Sequence, residues 1–329
     1  MSTTLSKDVA EQPDSQVSRD VLAGIVENIS NVIIGKRKPI EIILLALVSG
    51  GHVLLEDIPG VGKTSLISAL ARSVSCDFSR IQFTPDIMPS DVTGFSIYNQ
   101  KTGEFEFRPG AAMSNFVLAD EINRASAKTQ AALLEIMEEK QTTVDAHTYK
   151  LDEPFMVLAT ENPIEYLGTY PLPEAQIDRF LVRLSLGYPT VDEEMRVVSL
   201  GNKAKKALQS VATGEDILQA RAAAETIFID DAILRYIIEL SDATRHHPEI
   251  VLGSSPRGSI ALYKMCKAYA MYMGRDYVLP DDVKTMAPYV LPHRLVLSHA
   301  AKIKKRTSEQ ILGEILETVA VPVIQNSTH

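Results

Sequence analysis

Residues 57–64 read Asp57-Ile-Pro-Gly60-Val-Gly62-Lys63-Thr64, and what flanks them decides how the stretch is read. Before it, His52-Val-Leu-Leu-Glu56 is a short apolar run stopped on its other side by Gly50-Gly51, which predicts a buried strand. After it, Thr64 to Val74 has helical spacing. A glycine-containing turn that ends in Gly-Lys-Thr between a strand and a helix is the setting of a phosphate-binding loop. Successive backbone N–H groups there form an anion-binding nest at a helix N-terminus. Pro59, Gly60, Val61, Gly62 and Lys63 would wrap a nucleotide's phosphates, with Thr64 and Ser65 opening the helix. In such a loop the Lys63 ammonium reaches the β- and γ-phosphates of ATP, and the Thr64 hydroxyl ligates Mg²⁺. One position departs from the usual pattern, which begins with Gly where this chain has Asp57. Asp tolerates left-handed turn conformations. Its carboxylate is expected to point away from the phosphates, because like charge would weaken binding.

Working outward, the chain has 329 residues, a net charge of −9, 45% hydrophobic and 23% charged residues. That mix excludes collagen-like, mucin-like and wholly disordered classes and suggests two domains, or one large domain with an appendage. The longest apolar run, Ile42 to Val48, is far too short for membrane insertion. No apolar segment follows Lys7, Asp8, Glu11 and Asp14, so the expected compartment is cytoplasmic. Cys76 and Cys266 have no metal-like spacing. The acidic balance argues against broad nucleic-acid binding.

Residues 1–18 are polar, aperiodic and expected to be a flexible tail. Helical spacing follows from Val21 to Ile29 and from Lys38 to Val48. Strands are expected near Ser79–Phe83, Asn115–Ala119, Phe155–Ala159 and Leu181–Leu186, with a helix over Ala127–Glu139. Alternating runs about Gly-containing or polar turns predict hairpins at 95–107 and 141–151. Strands alternating with helices imply an α/β fold with a parallel sheet flanked by helices. After Tyr188-Pro189 strand signals fade, so residues 19–188 are expected to form the α/β core and 189–329 a helical domain.

Val117-Leu-Ala-Asp120-Glu121 is the second chemical signal. An apolar strand ends there in two carboxylates, downstream of the phosphate loop. Asp120 would hold Mg²⁺ and Glu121 would polarise an attacking water as general base. Ser255-Pro256 marks a helix start, which puts Arg257 in a first turn where its charge opposes the helix dipole and calls for an anionic partner.

Gly60-Val-Gly-Lys-Thr64, Asp120-Glu-Ile-Asn-Arg124, Ala159-Thr-Glu-Asn-Pro163, Pro173-Glu-Ala-Gln-Ile-Asp-Arg-Phe180 and Ser255-Pro-Arg-Gly258 occur in this order. The set resembles MoxR-type AAA+ ATPases across about Asp20 to Ala320, with magnesium-chelatase ATPase subunits as the nearest look-alikes. The resemblance implies a P-loop AAA+ core with two inserted hairpins, an all-α C-terminal lid and ATP hydrolysis with Mg²⁺. It implies that Asn162 orients the lytic water, Arg179 is the arginine finger, with Arg183 able to assist, and Arg257 is a lid sensor. Ile33, Ile34 and Gly35 match the family's adenine-side segment. It further implies a homo-hexameric ring, chaperone-like work on a protein client, and a separate partner bearing a von Willebrand factor A domain. Phe95, Tyr98, Phe105 and Phe107 would supply apolar surface on the first hairpin, although packing onto their own domain accounts for them as well. Other readings are a nucleic-acid motor or a chelatase-type subunit of the same clade. The dense basic runs are Lys302, Lys304, Lys305 and Arg306, with Lys203, Lys205 and Lys206; their usual role is a solvated helix face.

Overall fold

A computed structural model describes residues 14–58, 60–161, 169–200 and 208–322. The core runs α1 (Ser15–Ser30), α2 (Arg37–Val48), β1 (Val53–Glu56), α3 (Lys63–Ser73), β2 (Phe78–Gln82), α4 (Pro89–Thr93), β3 (Gly94–Asn99), β4 (Glu104–Pro109), β5 (Phe116–Asp120), α5 (Ala127–Glu139), β6 (Gln141–Val144), β7 (His147–Lys150), β8 (Met156–Glu161), α6 (Glu174–Ile177) and β9 (Val182–Leu184). The C-terminal part runs α7 (Val191–Leu200), α8 (Gly214–Thr226), α9 (Asp231–His246), β10 (Ile250–Leu252), α10 (Pro256–Tyr272), α11 (Pro280–Val290), β11 (Val296–Leu297), α12 (His299–Ile303) and α13 (Ser308–Thr318).

Five parallel strands form the central sheet in the order β2-β5-β8-β1-β9. Alternation along each strand sends residues to two separate apolar layers. Val53, Leu55, Phe116, Leu118, Met156 and Leu158 join the layer built with α1–α3 and the lid helices. Leu54, Val117, Ala119, Val157 and Ala159 join the layer under α5. Both faces of the sheet are thus covered, as the near-continuous apolar strands require.

Helix α1 begins four residues inside the stretch expected to be a tail, because the Asp14 carboxylate accepts from the N–H groups of Gln16 and Val17 and caps it. Leu22, Ile25, Val26 and Ile29 then bury one face against α2, α3, α8 and α10, so α1 ties core to lid. The expected hairpins are β3–β4 and β6–β7, and they touch: the Phe107 and Tyr149 rings stack at 3.8 Å. Phe95, Tyr98 and Phe105 stay exposed, with Tyr98 and Phe105 paired at 5.3 Å. The lid is helical but also carries the short antiparallel pair β10–β11. Strands of two and three residues are too short to show alternation in the sequence. Among the described residues no helix is long and apolar enough to cross a membrane.

His52, at the start of β1, is fully buried and sits edge-on to Phe155. The Val157 N–H donates to its Nδ1 at 3.0 Å, so Nε2 carries the proton and donates to the Met137 carbonyl at 3.0 Å. Burial pulls its pKa down to about 4 from an ordinary 6.5. Above pH 6.5 the ring is neutral folded or unfolded. As pH falls further, the unfolded chain takes up a proton that the folded chain refuses until about pH 4. Stability should therefore fall by about 3 kcal/mol from this group across that window. Urea unfolding at pH 7 and pH 4.5 measures the loss, and a His52→Gln variant should show a smaller difference between the two.

Candidate active site

The loop after β1 has the predicted shape. Gly60 and Gly62 take φ of +88° and +92°, conformations that suit glycine, and nothing lies within 4 Å of where a Cβ on either would stand. Lys63 Nζ donates to the loop's own Asp57 and Ile58 carbonyls at 3.1 and 3.4 Å. Thr64 and Ser65 open α3 and line a cavity with Val32, Ser68, Arg72 and Leu208. Ile34 is buried and Ile33 packs against the core. Gly35 has φ +74°, and the Glu193 carboxyl stands where its Cβ would be. Pro59 lies outside the described residues.

Asp57 takes no left-handed conformation; its carboxylate explains the residue instead. The side chain is buried, turned from the cradle, and accepts from Ser185 Oγ at 2.7 Å and from the N–H groups of Leu186 at 2.6 Å and Gly187 at 3.0 Å.

Asp120 ends β5 and Glu121 follows it, at the same end of the parallel sheet as the loop after β1, and Thr160 on β8, the strand between β5 and β1, organises both. Its hydroxyl donates to Asp120 Oδ1 at 2.7 Å and accepts the Glu121 N–H at 2.8 Å. Glu121 itself has φ +56°, a left-handed conformation that costs a residue with a Cβ about 1–2 kcal/mol. On β2, Arg80 donates to Asp120 Oδ2 at 2.6 Å, and Gln82 donates to Glu121 Oε2 at 3.1 Å. Arg124 Nε lies 3.1 Å from that same Glu121 oxygen. A threonine hydroxyl and a carboxylate are hard oxygen donors of the kind Mg²⁺ takes, so Thr64 and Asp120 fit that ion. At the end of β8, Glu161 lies beside Glu56 in register. Burial and the Glu56 charge push its carboxyl up to about 7, against the pull of Arg183. Arg183 bridges Glu56 at 3.1 Å and Glu309 of α13 at 2.5 Å, so it joins core to lid. Asn162, the next residue after β8, lies outside the described residues.

Arg179 and Arg257 are elsewhere, and together. β9 runs parallel to β1 with Val182 opposite Val53, and Arg179 comes before β9 while the phosphate loop comes after β1. The two therefore occupy opposite edges of the sheet, separated by at least the length of β1, about 13 Å at about 3.3 Å per residue. Arg179 Nη1 donates to the Leu134 carbonyl at 2.9 Å and to Glu138 Oε2 at 2.7 Å. Its Nε is buried and, among the described residues, without a partner. The Arg257 guanidinium donates to the other oxygen of the same Glu138. Asp178, next to Arg179 in the chain, accepts from Ser255 Oγ at 2.8 Å and lies 2.9 Å from Arg294 Nε. Ser255 also caps α10, accepting from the Arg257 N–H at 3.1 Å. Arg294 is buried, which pulls its pKa down to about 10 against the field of Asp178. A junction of core and lid, with Arg294 buried beneath it, thus sets the half-buried Arg179 and the exposed Arg257 side by side, around a cavity of about 260 Å³ that Gly51, His52 and Lys264 also line.

The structure gathers the predicted loop and carboxylates at one edge and the two arginines at the other. Arg80, Gln82 and Glu138 carry no motif signal of their own, and Thr160 lies inside the Ala159–Pro163 motif without a role assigned to it. Thr160 could have been singled out as a hydroxyl inside an apolar strand; the others emerge only from sheet register and helix packing.

Residues 52–182 match the ATPase family associated with various cellular activities (AAA), and residues 242–315 match the AAA lid domain. The chain is 54% identical over 305 residues to the uncharacterized protein YeaC of Bacillus subtilis, covering 92% of this chain and 95% of that protein. It is 42% identical over 306 residues to the chaperone MoxR1 of Mycobacterium tuberculosis, covering 90% and 81%. A crystal structure of a candidate ATPase from Cytophaga hutchinsonii superposes with a TM-score of 0.88 at 40% identity, covering 94% of this chain and 97% of that one. By these matches and this site, the chain belongs to the MoxR family of AAA+ ATPases and is an ATP hydrolase.

Proposed function

We propose that the chain binds ATP with Mg²⁺ on the 57–65 loop, hydrolyses it between neighbouring copies in a six-membered ring, and uses the cycle to remodel a protein client. One observation carries this reading: the phosphate loop and the Arg179–Arg257 pair lie at opposite edges of one sheet. A chain built this way cannot bring its own arginines to its own nucleotide. It offers a loop on one side and a charge pair on the other, a head-to-tail arrangement that closes into a ring. The ring size of six comes from the family.

Lys63 would turn from the loop carbonyls to the phosphates, and Thr64 and Asp120 would hold the ion. Bound Mg²⁺ neutralises charge on the β- and γ-phosphates. Glu121, its main chain fixed by Thr160, takes a proton from water oriented by Asn162. Arg179 and Arg257 of the next copy stabilise charge as it develops. Ile33, Ile34 and Gly35 flank the base. Specific ATPase activity should rise with protein concentration and then plateau. A constant value down to a demonstrated monomer would remove the interface from the mechanism.

Two features support a protein client over a nucleic acid. Lys304 and Arg306 of the basic run pair with Glu249, and Arg306 also with Glu314, so part of that charge is already neutralised. Lys203, Lys205 and Lys206 lie outside the described residues. Phe95, Tyr98 and Phe105 present apolar surface on β3–β4, while Phe107 is used in holding the two hairpins together. A separate partner with a von Willebrand factor A domain and a cytoplasmic setting complete the reading.

A further inference from the structure

Residues 185–188, where the chain leaves β9 for the lid, are gripped from two directions. The Asp57 carboxylate takes the Ser185 hydroxyl and the N–H groups of Leu186 and Gly187. From the other side, Lys36 Nζ donates to the carbonyls of Leu186, Gly187 and Tyr188 at 2.7, 3.0 and 3.2 Å. Both charged residues are buried, 4% and 6% exposed, and among the described residues they form no ion pair with each other. The linker's peptide units stand between them, with N–H groups toward the anion and carbonyls toward the cation.

Each end of the clamp belongs to a segment assigned to the nucleotide. Lys36 follows Gly35 on the adenine side, and Asp57 begins the phosphate loop. Asp57 serves both neighbours at once: its carboxylate holds the linker, and its carbonyl accepts from Lys63 Nζ at 3.1 Å. When Lys63 turns to a phosphate, it releases that carbonyl. The linker contains Gly187 at φ +63°, with nothing within 4 Å of its would-be Cβ, and leads into α7, whose Glu193 carboxyl rests against Gly35. Moving the linker alone would strand a buried carboxylate and a buried ammonium, a large cost. Linker, loop and Gly35–Lys36 segment therefore shift together.

We infer that Asp57 and Lys36 are positioning residues that transmit the state of the nucleotide site to the core–lid linker. The inference rests on the phosphate-loop reading above. It accounts for Asp57 standing where such loops usually have glycine, since glycine could not hold the linker.

The test is amide hydrogen exchange on the full chain, with and without a slowly hydrolysed ATP analogue, together with steady-state kinetics. In the wild type, the analogue should change exchange both in the loop and at Leu186 and Gly187. Asp57→Asn and Lys36→Met should each speed exchange at those two amides by about tenfold or more and abolish the nucleotide-dependent change there. In the same variants kcat should fall about tenfold while KM stays within about threefold. Ser185→Ala, which leaves both charges in place, should move exchange in the same direction by less; it keeps the test decisive if Asp57→Asn does not fold. Unchanged linker exchange in Asp57→Asn or Ser185→Ala, or a shift confined to KM, would overturn the clamp. Loop protection without any linker response in the wild type would overturn the clamp alone. No response in either segment would overturn the phosphate-loop reading and the clamp with it.

Discussion

Glu121→Gln should keep ATP binding and lose about 10²–10⁴-fold in turnover. The substitution preserves the size of the side chain and leaves the loop untouched. Thr160 meets Glu121 through its main-chain N–H, so the link to Asp120 survives as well. Gln82 and Arg124 hold the Glu121 carboxylate and would still meet an amide oxygen. What disappears is the capacity to take a proton. Lys63→Ala should fail differently, because it removes a cation that the phosphates need for binding, so affinity itself should drop. The measurement is nucleotide affinity beside single-turnover hydrolysis for both variants. Turnover near wild type in Glu121→Gln with unchanged affinity would remove Glu121 from the role of base.

Arg179→Ala should reduce turnover by about 10³–10⁵-fold, the range seen for arginines that stabilise phosphoryl transfer from a neighbour. The variant should fold, because Glu138 keeps Arg257 as partner and the neighbouring Asp178 keeps Arg294 and Ser255. Sharper still is its behaviour in mixtures. Rings made from Arg179→Ala and Glu121→Gln chains contain interfaces where an intact base meets an intact arginine. They should recover part of the activity that neither variant has alone. Mixed rings, shown to have formed, that recover nothing would break the pairing of loop and arginine across the interface.

What could be read in the sequence was what is local. The phosphate loop and Asp120-Glu121 were legible because a strand, a turn and a few polar residues lie within one short window. The helix start at Ser255-Pro256 was legible for the same reason, and the structure adds that the anionic partner of Arg257 is Glu138 of the same chain. The reason for Asp57 was not legible: its partners lie about 130 positions further on, and only the pairing of β9 with β1 brings them near. Gln82 reaches Glu121 because β2 places it opposite Asp120, a register no spacing reveals. The ribbon β10–β11 gave no alternation, and the start of α1 was hidden in a polar stretch whose order depends on one aspartate cap.

Helix α5 has a consequence for how neighbouring sites feel one another. It starts just beyond Arg124, which touches Glu121, and runs to Glu138, which touches Arg179 and Arg257. Its length is about 20 Å at about 1.5 Å per residue. On the proposed mechanism, one strut thus connects the chain's own water-activating carboxylate with the cations it would lend next door. A slide or tilt of that strut would register in two reaction centres at once, one kept and one shared, so the turnover of successive subunits would be mechanically geared.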